Sequence, residues 1–464
     1  SPMTRFSFAL LVLVLAAPAS AQEAPPAPGQ GPASNSAKPR CHEGKCEDRS
    51  CSRGKCKQGG TQWRFEASLR PRAELFVNRH FGLTPDVLNY ARPDEVDVIT
   101  QQTRLGVSGQ RGPVTGKLQL QHAAAWGVHG GDSLSDAPIG LHEAWFEIEA
   151  NDAVRVRVGR QELAYGAHRV LGNVGWSQVG RAWDAGRLVV ALPGDTKLDV
   201  IGAQYAEGWV EQPASYSGKL FDEDAWLTGL YASTRAGGDA VEVVDVYLLY
   251  DARLESPEAG KDDGTQPRRG LLTTGLRARG NWAPVDLEVE GAFQTGSGCI
   301  AGDDGACTDQ DVDRSAYFAD AEVGVTLLNR LRLFVAFAQA SGDDPDTAKN
   351  EAYDHLYPTA HKFLGYMDLI GGRTNIRELR GGAAYSFSDK RGSLAVTVHD
   401  FTRLQPEALR VGLETDVVAG WKFYDGVSGL VGWALFLPDE GITSGDKDPV
   451  GNAQWVFVQA VAKF

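Results

Sequence analysis

The chain lacks any long hydrophobic run beyond its first residues. Among its 464 residues, one apolar stretch from Phe6 to Ala17 stands out, and it is too short to cross a bilayer as a helix. The stretch has the length of a signal-peptide core, with Arg5 before it and Ala19-Ser20-Ala21 after it. We therefore expect a signal peptide over residues 1–21. Its removal would leave an exported chain that begins at Gln22.

Other absences argue against further classes of protein. The sequence has no G-x-S-x-G, H-E-x-x-H or Walker motif, and His399-Asp400 is the nearest approach to an acid–base pair. It also has no C-x-x-C-H haem site. With 46 Lys and Arg against 60 Asp and Glu, the net charge of −14 argues against a nucleic-acid partner. The chain is therefore not expected to be an enzyme or to hold a metal or other cofactor.

Alternation of apolar and polar residues is what the sequence has in abundance. It recurs in segments of about ten residues from Trp63 to Phe464, the pattern of an outer-membrane β-barrel. The predicted all-β fold is a transmembrane antiparallel barrel of about eighteen strands, at 63–77, 99–109, 114–125, 142–150, 153–162, 184–192, 195–206, 225–235, 241–251, 270–282, 284–295, 315–328, 330–340, 376–388, 392–402, 410–424, 426–437 and 452–464.

The connections between these segments alternate in length. Short ones such as Asn151-Asp152 and Pro193-Gly194 follow long ones such as 78–98 and 341–375. Outer-membrane barrels have short periplasmic turns and longer extracellular loops. We therefore expect a barrel domain over 63–464 with both ends in the periplasm, surrounded by lipid in the outer membrane of a Gram-negative bacterium.

The two faces of each segment differ in charge. Within 153–162, Val154, Val156 and Val158 alternate with Arg155 and Arg157. A face this rich in charge would be costly in a dry core, so we expect it to line a wet lumen. The lumen positions predicted on this ground are Arg72, Arg104, Arg155, Arg157, Arg187, Arg277, Arg279, Arg380 and Glu143. Inward carboxylates such as Glu288 and Asp320 leave two interpretations open. The arginines line a path for anions, or the arginines and carboxylates neutralise each other.

Two long stretches resemble a known family. The first contains Gly159-Arg160-Gln161-Glu162, His168-Arg169-Val170-Leu171-Gly172, Gly175-Trp176-Ser177-Gln178, Gly180-Arg181 and Asp184. The second contains Leu356-Tyr357-Pro358-Thr359-Ala360-His361-Lys362-Phe363-Leu364-Gly365-Tyr366-Met367-Asp368, followed by Asn375-Ile376-Arg377-Glu378-Leu379-Arg380. Both resemble the signature of the alginate-export porin family, and the likeness extends over 63–464.

The resemblance implies an eighteen-stranded barrel that exports an anionic exopolysaccharide through an Arg-lined constriction without chemistry. It adds Arg160, Arg169 and Asp184 to the expected path. A general diffusion porin for small solutes is one alternative function, and a small anion is an alternative substrate. A structural anchor that binds a partner is another alternative function. Arg160 and Gln161 have a second interpretation, in which they hold the loop 163–183 through hydrogen bonds to backbone.

The region before the barrel, 22–62, contains a stretch at 41–56 that departs from the family pattern. It begins with a Pro-, Ala-, Gly- and Ser-rich segment that predicts disorder in the periplasm. A cysteine patch at 41–56 follows, with Cys41, Cys46, Cys51 and Cys56 at every fifth position. In an exported chain these are disulfide candidates; a metal site and intermolecular pairing are the alternatives. The patch is a candidate docking segment for a periplasmic protein.

Two further cysteines flank an aspartate-rich stretch. Cys299 and Cys307 are disulfide candidates that would close an outside loop, and Asp303, Asp304 and Asp309 lie in or beside that loop. Clustered carboxylates also suit Ca²⁺, but the glycine of an EF-hand is missing. We therefore expect a solvated loop closed by a disulfide.

Overall fold

The alternating segments form a closed antiparallel barrel in the computed structural model of the protein. The structure describes residues 51–52, 55–56, 60–78, 95–127, 139–206, 225–235, 241–253, 269–301, 307–359, 361, 363–439 and 451–464. The predicted signal peptide 1–21, most of the extension 22–62, and Cys41 and Cys46 therefore lie outside the described residues. No helix in the described ranges is long and apolar enough to span a membrane.

The barrel has eighteen strands, as the sequence predicts. A two-stranded hairpin of β1 (Cys51–Ser52) and β2 (Lys55–Cys56) precedes it, in a register that places Cys51 opposite Cys56. The barrel strands are β3 Gln62–Val77, β4 Glu95–Arg111, β5 Val114–Ala125, β6 Gly140–Glu149, β7 Val154–Gln161, β8 Trp183–Leu192, β9 Thr196–Ala206, β10 Ala225–Thr234, β11 Val241–Arg253, β12 Arg269–Trp282, β13 Val285–Ala301, β14 Cys307–Leu327, β15 Leu331–Ala340, β16 Ile376–Phe387, β17 Gly392–Arg403, β18 Leu409–Tyr424, β19 Val427–Pro438 and β20 Ala453–Lys463.

Each barrel strand pairs with its neighbours in the chain, and β20 closes the sheet by pairing with β3. At the seam Trp455 lies opposite Phe76, and Val458 lies opposite Ala73. Closure leaves no unpaired strand edge, which is the condition for a sheet to survive in hydrocarbon.

One predicted loop is mostly strand. Residues 296–301 and 307–314 extend the β13–β14 hairpin, with Ser297 opposite Asp313 and Cys299 opposite Asp311. Backbone pairing can continue above the membrane where side chains are polar, and the sequence pattern there is too polar to reveal it. Cys307 lies opposite Ala301, so it is not the direct cross-strand partner of Cys299. The side chains of all four cysteines in strands lie outside the described part, and their disulfides stay predictions.

The connections divide the barrel into two rims. Tight turns such as 193–195 and 425–426 form the short-turn rim, where chain reversal needs few residues. The opposite, long-loop rim carries two extended connections that fold into the lumen. We call them loop A (residues 162–182) and loop B (residues 341–375, without 360 and 362, which are not described). Their apolar residues are the centre of the buried cluster inside the barrel.

Candidate substrate path through the barrel

The outward face of the barrel carries an apolar belt. Phe65 on β3 and Leu379 on β16 are 76% and 59% exposed, although both are large and apolar. Exposed aromatic residues border the belt: Trp126, Trp226, Tyr250 and Tyr317 toward the long-loop rim, and Trp63, Trp282, Tyr385 and Tyr424 toward the short-turn rim. A belt between two aromatic girdles is the surface that an outer-membrane barrel presents to lipid.

Loops A and B pair with each other inside the lumen. The amide of Gly172 donates to the carbonyl of Tyr357 at 2.8 Å, and the amide of Tyr357 donates to Val170 at 3.1 Å. Apolar side chains from both loops, including Leu163 and Met367, are buried around this contact. The two loops therefore form one body that narrows the lumen from the long-loop rim.

One arginine of loop A is buried against carboxylates of the barrel wall. Arg169 is 3% exposed, and its guanidinium contacts Glu288 at 2.5 Å, Glu290 at 3.1 Å and Asp320 at 2.9 Å. Burial alone would lower the pKa of Arg169, but the three carboxylates raise it, so the side chain stays cationic. We call this group on loop A, β13 and β14 the Arg169 latch.

Loop B is fastened beside the latch. Arg373 donates to the carbonyl of Arg169 at 3.4 Å, and burial lowers the pKa of this guanidinium. The amides of Tyr366 and Met367 donate to Asp416 at 3.2 Å and to Glu414 at 2.9 Å. Carboxylates of β18 that the sequence places in the lumen thus bind loop backbone.

Wall arginines also bind loop A through its carbonyl groups. Arg70 donates to the carbonyls of Gly175 and Ser177, each at 2.5 Å. The guanidinium of Arg72 lies 4.2 Å from the ring centre of Trp176, which stacks on His361 at 4.1 Å. Planar guanidinium groups suit both carbonyl binding and aromatic stacking. These contacts hold the far side of loop A against β3.

The start of loop A carries a strongly held carboxylate. Glu162 accepts hydrogen bonds from His142 at 2.7 Å and Asn173 at 2.7 Å, and it pairs with Arg104 at 3.3 Å. Burial by itself would raise the pKa of Glu162, but these partners lower it to about 2. The carboxylate is therefore ionised over the whole physiological range.

Below the loops, toward the short-turn rim, two cavities share Asp195, Lys197 and Arg235 in their lining. Their volumes are about 710 and 570 Å³. Their cationic lining residues are Arg155, Arg187, Lys197, Arg235, Arg277 and Arg279, and their anionic ones are Glu149, Asp152, Asp195, Asp199, Glu242 and Asp245. We call Arg155, Arg187, Lys197 and Arg235 the basic strip; Arg155 and Arg235 form no ion pair with any described residue. A wet chamber with free cations thus lies under the paired loops.

Most lumen residues predicted from the sequence point inward and have partners of opposite charge. The pairs are Arg72–Glu74 at 2.9 Å, Arg104–Glu162 at 3.3 Å, Arg157–Glu147 at 2.8 Å, Arg277–Asp245 at 2.7 Å, Arg279–Glu242 at 2.9 Å, Arg380–Glu378 at 2.8 Å, Lys117–Glu143 at 2.5 Å, and Arg187–Asp199. Mutual neutralisation therefore accounts for much of the lumen charge. Within the basic strip Arg187 and Lys197 pair with Asp199, whereas Arg155 and Arg235 have no ion pair among the described residues.

Arg160 and Asp184 do not line the lumen, which corrects the expectation from their motif. They pair with each other at 2.8 Å across β7 and β8. The alternation of β7 places Arg160 on the same outward face as Val156 and Val158, and Asp184 shares that face. Gln161, one residue further, points inward and donates to the carbonyl of Ala185 at 2.9 Å.

Sequence reasoning missed several residues that the structure brings into the path. Lys197 and Arg235 lie near short turns, and strand boundaries there were too uncertain to assign a face. Arg373 lies in a loop, where periodicity assigns no face. The signal near it is its position between the family-like segments that end at Asp368 and begin at Asn375.

A closed sheet, a lipid-facing belt and a charged lumen define an outer-membrane β-barrel. The sequence matches the alginate export family over residues 62–407. The chain belongs to that family.

Solved porin structures share the fold at low sequence identity. OccK11 (OpdR) of Pseudomonas aeruginosa is 13% identical with a TM-score of 0.55, covering 86% of this chain and 96% of its own. OpdK of the same organism, solved with vanillate, is 11% identical with a TM-score of 0.57, covering 86% and 98%. OccAB4 of Acinetobacter baumannii is 13% identical with a TM-score of 0.55, covering 88% and 100%. No curated protein sequence matches the chain.

Proposed function

We propose that the barrel conducts an anionic exopolysaccharide, or a small anionic solute, through its lumen without chemical change. The observation that carries this proposal is the basic strip below loops A and B. Arg155 and Arg235 face the cavities with no described carboxylate bound to them, so their donors are free to meet a solute. Membership of the alginate export family supports the same conclusion.

The position of the strip fits entry of an anion from the periplasm. It lies at the short-turn rim, which faces the periplasm in outer-membrane barrels. An exported anion would meet Arg155 and Arg235 first, and clustered cations raise the local concentration of an approaching anion. Several weak sites in series then let the solute leave again. In this orientation the N-terminal extension also lies in the periplasm, where the cysteine patch could dock a protein partner.

The paired loops set the resting state of this path. The Arg169 latch lies between the chamber under loop A, which Arg277 lines, and the space beside β14 to β17, which Arg169 lines. Glu288 binds both arginines and so separates the two spaces. Passage of a polymer therefore requires the latch to open. Loop displacement keeps the barrel wall intact, since the latch lies within the lumen.

Reconstitution in planar bilayers tests the proposal. With a salt gradient across the membrane, the reversal potential should indicate preference for anions. The double substitution Arg155→Gln and Arg235→Gln should reduce that preference, whereas Arg111→Gln on the outward face should not. Cation preference in the unsubstituted protein would refute the proposal.

A general diffusion porin is the second candidate, because carboxylates equal the cations in number around the two cavities. Such a lumen would pass neutral sugars as readily as acidic ones. Liposome swelling with neutral and acidic sugars of equal size separates the two functions, since only a general porin gives equal rates.

A further inference from the structure

The outward face near the long-loop rim carries a polar row that the transport path does not use. Gln339 on β15, Arg377 on β16, Thr402 on β17 and Arg410 on β18 are successive cross-strand partners. Strand spacing of about 4.8 Å puts neighbours in this row within reach of one ligand group. The row lies just above the apolar belt, because Phe337 and Leu379 are exposed one step further along the same face.

Arg377 is the free cation of the row. Its side chain is exposed, and it forms no ion pair with the residues that the structure describes. Arg410 differs, because Asp400 binds it at 2.9 Å and Asp439 at 3.5 Å. Gln339 and Thr402 flank Arg377 with neutral hydrogen-bonding groups. A single anionic group placed on Arg377 would therefore meet a cation and two polar neighbours.

A groove on the same outward face continues the row toward β11. It has a volume of about 540 Å³ and lies next to β14, two strands from Arg377. Its lining includes the hydroxyl-bearing residues Tyr250, Thr295, Ser297 and Ser315, together with Lys349 from loop B. Lys349 is a second cation without an ion pair among the described residues. Asp313 and Arg314, of opposite charge, also line the groove.

We propose that Arg377 and Lys349 bind the phosphorylated headgroup of a glycolipid in the outer leaflet. A lipid is the occupant because the surface is continuous with the belt that contacts acyl chains, at the height where headgroups begin. Guanidinium binds phosphate through two parallel hydrogen bonds, and an ammonium binds it as a point charge. The hydroxyl-lined groove suits the sugar part of the same headgroup.

The charge pattern also explains why the site is confined to this sector. At the opposite end of the row the cation of Arg410 is occupied by Asp400 and Asp439. On β7 and β8 the outward cation Arg160 is occupied by Asp184. Arg377 and Lys349, which lie about two strands apart, are left to bind an external anion.

Native mass spectrometry of the full barrel in neutral detergent tests this site. The probe is bis-phosphorylated lipid A, compared with the same lipid after removal of its phosphates. We expect lipid A to bind the unsubstituted protein, and the apparent affinity to fall about fivefold for each cation removed by Arg377→Gln and Lys349→Gln. The control is Arg111→Gln, an outward cation at the opposite rim, which should leave binding unchanged.

Three results would overturn the proposal. Equal binding of the dephosphorylated lipid would show that phosphate is not recognised, and equal loss in Arg111→Gln would show a nonspecific charge effect. Competition by millimolar inorganic phosphate as strong as by lipid A would identify a free-phosphate site instead. Heat-modified migration on gels confirms that each variant is a folded barrel, so weak binding cannot be ascribed to misfolding.

Discussion

Substitution of Arg169 by glutamine should open the path without damaging the barrel. The change leaves Glu290 buried without its arginine, whereas Asp320 keeps Arg380 at 3.2 Å and Glu288 keeps Arg277 at 3.3 Å. Breaking a buried ion pair by removing one partner costs about 3–5 kcal/mol. We take about 3 kcal/mol, the low end, because Glu288 and Asp320 stay paired. At about 1.4 kcal/mol for each factor of ten, the ratio of open to closed loops should rise about 100-fold.

Single-channel recording measures this change directly. The Arg169→Gln variant should show longer or larger openings than the unsubstituted protein, and its barrel should show unchanged heat-modified migration. Arg410→Gln is the matched control, because it also removes an arginine bound to two carboxylates, but on the outward face. If Arg169→Gln conducts like the unsubstituted protein while remaining folded, the latch does not close the path.

Three further predictions concern the loop contact, the cysteine hairpin and the basic strip. The pKa of Glu162 is lowered to about 2, so its contribution to loop stability is complete above about pH 4.3 and is lost as pH falls toward 2. Channel conductance should therefore rise as pH falls over that interval. The Glu162→Gln variant should not show this pH dependence. Cys51 and Cys56 are opposite in the backbone register of the β1–β2 hairpin, so peptide mapping without reduction should recover them as one disulfide-linked peptide; recovery of free thiols would contradict this. Arg155→Gln should lower the anion-to-cation permeability ratio about twofold to fivefold, and an unchanged ratio would place the selective step elsewhere.

The barrel could be predicted from sequence because its signals repeat. Assigning one strand's residues to the wrong face changes few conclusions, because eighteen segments and their alternating connections all indicate a barrel. The charged faces of β7 and β12 were predicted correctly for the same reason, since Arg155 and Arg277 alternate with aliphatic residues.

The contacts inside the lumen could not be predicted in this way. Periodicity assigns a residue to a face, but it does not show which loop folds against that face. Arg169 meets Glu288 and Asp320 across more than one hundred residues of chain, and no local pattern records that encounter. Arg160 illustrates the opposite error, because its motif suggested a path residue while its position in the alternation placed it on the outer wall.

The length of the β13–β14 hairpin shows a third limit. Residues 296–314 are rich in Gly and Asp, which usually indicate a loop. The backbone of 296–301 pairs with that of 307–314 nonetheless, because the hairpin below already fixes the register and each further pair adds hydrogen bonds at little cost.

Sided block of the channel current tests the central claim most directly. An acidic oligosaccharide should reduce the current at lower concentration from the short-turn side than from the long-loop side, because the basic strip lies at that entrance. A neutral oligosaccharide of equal length should have little effect from either side. Equal block by both sugars, or stronger block by the acidic sugar from the long-loop side, would contradict an anion path that begins at Arg155 and Arg235.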